Sequence, residues 1–140
     1  MLELNREKIE DFIPHREPML LLESITIHDS SIVTASYFFN GDEWFFKGHY
    51  PGNPIVPGVI LCEIMAQASC GLFINKGKGT IPYLISIDRA KFRKIVHPQD
   101  TVCIKSTFLY KKGLFYFTQC TATINKVVCA ECILSFYLAT

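Results

Sequence analysis

Three side chains close together in the sequence have types suited to proton transfer: His49, Glu63 and Gln67. His49 stands just before a stretch in which Pro51, Pro54 and Pro57 recur at every third position, with Gly52 and Gly58 among them. Each proline removes a backbone donor and fixes φ, so this segment is a rigid, irregular loop. From Val59 through Cys70 there is neither Pro nor Gly, and Pro57 suits the first turn of a helix. The predicted helix is apolar almost all round (Val59, Ile60, Leu61, Cys62, Ile64, Met65, Ala66, Ala68), which is the pattern of a buried helix. Glu63 interrupts it, and Gln67 lies one turn further along the same face. Either Glu63 reaches solvent at the helix edge, or it is a catalytic acid in an apolar site, oriented by Gln67. In the second reading His49, whose imidazole can both take and give a proton, is the natural partner.

The elements that must position these groups follow from the rest of the chain. Asn5 to Phe12 reads as a short helix stopped by Pro14. Met19 to His28 and Ile32 to Phe39 read as strands, separated by a turn at Asp29-Ser30-Ser31. Trp44-Phe45-Phe46 is an aromatic cluster for packing. After the long helix and a polar turn, Asn75 to Thr80, come four β-like runs: Ile81 to Ile95, Thr101 to Lys111, Leu114 to Ile124 and Val127 to Ala139. The last three are joined too tightly for anything but antiparallel hairpins. Strands, one buried helix, then strands predict an α+β fold, an antiparallel sheet wrapped around one long central helix, as a single domain over residues 1–140.

Composition narrows the function classes. A net charge of +1 argues against a polybasic nucleic-acid binder. The mixed, charged start Met1 to Glu7 lacks the pattern of a secretory signal, and the uncharged run Ile64 to Asn75 is too short for a membrane span. A cytoplasmic protein is the expectation. Cys129 and Cys132 have redox or metal spacing, but on a strand positions three apart face opposite ways, so structural thiols are expected and no metal site. His15-Arg16 is read as structural.

Gly48-His49-Tyr50-Pro51-Gly52-Asn53-Pro54-Ile55-Val56-Pro57-Gly58-Val59, followed by Glu63 and Met65-Ala66-Gln67-Ala68, resembles the signature of the 3-hydroxyacyl-(acyl carrier protein) dehydratases of the FabZ type. Ile13-Pro14-His15-Arg16, Met19 to Leu22 and Tyr83 to Lys94 extend the likeness over most of the chain. The resemblance implies a hotdog fold and the dehydration of (3R)-hydroxyacyl-acyl carrier protein to the trans-2-enoyl form in type II fatty acid biosynthesis, with no cofactor. It implies His49 as base and Glu63 as acid, the two drawn from different subunits of a homodimer, with dimers joining in threes. The Gly58 N–H would polarise the thioester carbonyl, the Ile55 carbonyl would fix the His49 tautomer, and Val59 would line the site. Tyr83 is either a gate to the acyl tunnel or an ordinary core aromatic. Arg89, Lys91 and Arg93 alternate along one strand; they are either a solvated face or a docking patch for acyl carrier protein. Leu22-Glu23-Ser24-Ile25 departs from the family's usual Asp-Arg pair, which leaves a paralogue open. A bifunctional dehydratase/isomerase and a hotdog acyl thioesterase are the alternatives, Glu rather than Asp at position 63 favouring plain dehydration.

Overall fold

A computed structural model describes residues 1–77 and 79–139. Lys78, within the expected polar turn, lies outside the described residues. Seven strands form one antiparallel sheet in the order β1-β2-β3-β5-β6-β7-β4. They are β1 (Leu2–Asn5), β2 (Ser24–Ile27), β3 (Ile32–Phe38), β4 (Ile81–Phe92), β5 (Thr101–Lys112), β6 (Phe115–Ile124) and β7 (Val127–Ala139). Two α-helices, α1 (Arg6–Ile9) and α2 (Gly58–Ser69), complete the fold, α2 running on into a 3-10 segment, Cys70–Lys76. The sheet curls around α2, the hotdog arrangement that the resemblance implies.

Helix α2 is the axis of the core. Ile64, Met65 and Ala68 have no exposed surface, and Val102, Ile104, Ala122 and Leu134 meet them from the sheet. The stretch Gly58–Lys76 spans 19 residues with a mean hydropathy of 1.5, enough by length and composition to cross a membrane. The uncharged run Ile64 to Asn75 is only the later part of it; the helix begins earlier and includes Glu63. Two-thirds of it (67%) is buried within the protein, so it serves as a core helix. Ser69, fully buried near the helix end, donates to the Met65 carbonyl at 2.9 Å and meets the Ser106 hydroxyl at 2.8 Å, so a polar knot ties α2 to β5. Gly71 permits the close approach that follows, because a Cβ there would lie 2.7 Å from Ile25 Cδ1.

Three expectations shift in detail. The run from Met19 is not a strand until Ser24, because its backbone groups are taken elsewhere: Met19 and Leu20 N–H donate to the Arg16 carbonyl at 2.8 and 3.0 Å. Helix α1 ends at Ile9, and the chain goes on in tighter turns, Asp11 N–H donating to the Lys8 carbonyl at 3.1 Å and Phe12 N–H to the Ile9 carbonyl at 3.2 Å. Cys129 and Cys132 do not face opposite ways. The register shifts between Ala122 and Thr123, where Thr123 pairs with Val128 and Ala122 with Ala130, so Cys129 is the extra residue of a bulge. Both cysteines are therefore buried, and all six in the chain are free thiols.

Candidate active site

The loop before α2 is held at both ends. Asn53 N–H donates to the Tyr50 carbonyl at 2.8 Å, closing a turn in which Tyr50 takes φ of 60° and Gly52 of 81°. Val56 N–H then donates to the Val96 carbonyl at 2.8 Å, fastening the loop to the chain beyond β4. Within this frame the His49 ring stacks on Tyr50, with centroids 4.3 Å apart. Its Nδ1 lies 3.2 Å from the Ile55 carbonyl oxygen. A carbonyl can only accept, so Nδ1 carries the proton and Nε2 keeps a lone pair, the tautomer a general base requires.

His49 borders a cavity of about 310 Å³ shared with Tyr50, Ile55, Gly58, Leu61 and Phe92. Gly58 opens α2, and the first helical bond runs from Ile60 N–H to the Pro57 carbonyl at 2.9 Å. The N–H groups ahead of it have no intrahelical acceptor, and Pro57 offers no side-chain cap. They point a partial positive charge at the cavity, suited to an oxygen that gains negative charge. A Cβ on Gly58 would stand 3.0 Å from the Phe92 ring, so any side chain there would crowd this mouth. Larger hollows of about 550 and 470 Å³ lie around the 3-10 segment after α2, away from His49. His28 and Asp29 line the larger of these and Lys8 and Asp11 the other, so size alone does not locate the site; the hollow at His49 is set apart by an imidazole held beside the start of a helix.

Glu63 is not beside His49 within the chain. Its carboxyl, with a quarter of its side chain exposed (25%), lies 3.7 Å from Nε2 of His15. Gln67 does not orient Glu63: it is fully buried, its Oε1 accepts from Leu21 N–H at 2.8 Å, and its Nε2 donates to the Met19 carbonyl at 2.7 Å. Both ends of the amide hold the N-terminal segment against α2. The side chain nearest the Glu63 carboxyl is thus His15, which the sequence reading takes as structural.

Val59 is 75% exposed and borders a second shallow hollow with His49, Pro57 and Ile60. Tyr83 is exposed on β4, opposite Tyr137 of β7, and lines neither hollow at His49. The basic trio does not form a simple alternating row. Register slips between Asp88 and Lys91, and Arg89 takes left-handed backbone with φ of 53°. Arg93 lies beyond the strand end and is already paired, its Nη2 donating to Glu131 Oε1 at 2.9 Å. That guanidinium holds the Glu131 carboxyl below the usual carboxylate range.

Comparison with known proteins agrees with this geometry. The family model for ApeI-like proteins, described as ApeI dehydratase, matches residues 25–131. A 3-hydroxyacyl-(acyl-carrier-protein) dehydratase FabZ of Ehrlichia canis (strain Jake) is 38% identical over 138 residues, covering 93% of this chain and 92% of that protein. The FabZ dehydratase of Clostridium perfringens (strain SM101 / Type A) is 35% identical over 130 residues, covering 91% of this chain and 94% of that one. Among solved structures, the dehydratase heterocomplex ApeI:P from Xenorhabdus doucetiae superposes with a TM-score of 0.80 at 18% identity, covering 94% of this chain and 91% of that one. The chain belongs to the hotdog-fold dehydratase family that includes the ApeI-like proteins and the FabZ 3-hydroxyacyl-(acyl-carrier-protein) dehydratases.

Proposed function

We propose that the protein is a hydro-lyase that removes water from a 3-hydroxyacyl thioester on acyl carrier protein, giving the trans-2-enoyl thioester for fatty acid biosynthesis. The observation that carries this is the His49 ring, its Nδ1 facing the Ile55 carbonyl at 3.2 Å beside the uncapped start of α2. Nε2 of His49 takes a C2 proton, and charge collecting on the thioester oxygen is met by the Gly58 N–H. As the C3–O bond breaks, Glu63 supplies the proton with which the hydroxyl leaves as water.

That sequence needs a carboxyl near His49, and a second copy supplies it. Strand β4 is a sheet edge twelve residues long, with Tyr83, Leu84, Ile85, Ile87 and Phe92 exposed. An uncovered apolar edge of this length invites pairing. A copy paired there would cover Val59 and Tyr83, close the hollow at His49 and bring the partner's Glu63 to it. Tyr83 and Val59 then wall the acyl passage, and three such dimers form the full assembly. Arg89 and Lys91 meet the acidic carrier protein, and Arg93 can join them only by leaving its pair with Glu131. The reaction takes place in the cytoplasm, where the free thiols stay reduced.

Turnover with 3-hydroxyacyl-acyl carrier protein tests the proposal. Enoyl absorbance without release of free carrier thiol supports it. Free thiol with no enoyl product points instead to a thioesterase, and a shifted double bond to an isomerase as well.

A further inference from the structure

His15 has no part in the proton transfers just described, yet its ring is set against the group that completes them. Nε2 stands 3.7 Å from Glu63 Oε1, and each side chain is 25% exposed. On the other side of the ring, Nδ1 is buried with no hydrogen-bond partner among the described residues. The backbone that carries the ring is held firmly. Arg16 donates to the carbonyls of Ile13, His15 and Glu10 at 2.9, 2.8 and 3.0 Å. Gln67, one turn past Glu63 on α2, holds Met19 and Leu21. The ring and the carboxyl are therefore fixed to the same helix face.

We propose that His15 is a positioning residue for the dehydration: as the neutral Nε2–H tautomer it donates to Oε1 of Glu63 and leaves the other carboxyl oxygen aimed at the departing hydroxyl. The inference deepens the reading of Glu63 as the acid and rests on it. The bare Nδ1 selects the tautomer. A buried N–H without an acceptor is rarer in folded proteins than an acceptor left short of donors, so the proton belongs on Nε2. A neutral donor suits the task, because it orients the carboxyl whether or not the carboxyl holds its proton. An imidazolium in the same place would favour the carboxylate, the form that has no proton to give. The 3.7 Å separation is longer than a hydrogen bond, and contacts of this kind commonly tighten only when substrate is bound. Gln67 makes no hydrogen bond to Glu63 among the described residues, its amide serving Leu21 and Met19.

A double-mutant cycle on the full chain tests the inference, with kcat, KM and Tm measured on 3-hydroxyacyl-acyl carrier protein. His15→Ala should lower kcat by about ten- to a hundredfold, the scale of a misplaced catalytic group, with little change in KM. His15→Gln, whose amide N–H can reach the same oxygen, should recover most of the loss. Against a Glu63→Gln background, His15→Ala should cost less than about twofold, because the residue acts only through that carboxyl. Equal losses in both backgrounds would show a merely structural role and overturn the inference, as would wild-type kcat in His15→Ala. Should His15→Ala not fold, His15→Asn, too short to reach, replaces it in the same cycle with the same criteria. Glu63→Gln reports separately on the underlying reading: undiminished kcat there removes the acid and with it any role for His15. A crippled Glu63→Gln beside an unaffected His15 variant removes this inference alone.

Discussion

At the scale of single residues, the site is a matter of which atoms are already committed. His49 has one nitrogen at the Ile55 carbonyl and the other free, and Gly58 opens a helix with unclaimed N–H groups. His49→Ala and Glu63→Gln should each lower kcat by at least about a hundredfold, the usual scale for a lost general base or acid, with Tm little changed. Loss of Tm in step with activity would mean a structural role instead. Gln67 is committed differently. Replacing it by Leu leaves the Leu21 N–H buried and unpaired and strips the part-buried Met19 carbonyl of its donor, and should destabilise the protein by about 1–3 kcal/mol, read as a fall in the urea midpoint. The rigid loop feeding a helix was legible in the sequence from its prolines, and His49 Nδ1 does face the Ile55 carbonyl as the family resemblance implies; the catalytic roles of His49, Glu63 and Gly58 belong to the proposal. The surroundings of Gln67 and His15 were out of reach of local pattern for one reason. Their partners lie 46 and 48 residues away in sequence, an association only tertiary packing reveals.

At the scale of elements, α2 and the β5-β6-β7 meander follow directly from local pattern. Apolar runs with short connections leave the chain few alternatives, and observed and expected ends agree within a residue for β5, β6 and β7. What local pattern cannot show is an insertion. The bulge at Cys129 turns a thiol inward that strict alternation would turn outward, and the one at Arg89 breaks an apparent row of cations. Strand β1 escaped notice for a related reason, since Leu2–Asn5 owes its extended form to pairing with β2. The inward thiols carry a prediction. Cys62, Cys70, Cys120, Cys129 and Cys132 are buried and Cys103 alone is exposed. Burial also pushes the Cys70 thiol up to about 12. An aromatic disulfide reagent should therefore react quickly with one thiol in the native protein and with all six after unfolding. Several fast thiols would contradict the packing beneath α2.

At the scale of the whole molecule, the proposal of a site shared between two copies rests on three features of the single chain: His49 borders a shallow hollow, Glu63 lies by His15, and β4 is an apolar edge. A charge placed on that edge, as in Ile85→Lys, should shift the protein toward monomer in light scattering and abolish turnover together. A monomer that keeps full activity would show that one chain suffices. The sharpest test of the shared site is complementation. His49→Ala and Glu63→Gln chains should each retain about a hundredth of wild-type turnover or less, but a mixed dimer places both lesions in one site and leaves the other intact. Co-expressed in equal amounts, the two chains should recover about a quarter of wild-type turnover, since half the dimers are mixed and each has one good site. Turnover no higher than that of either variant alone would contradict a site built across two chains.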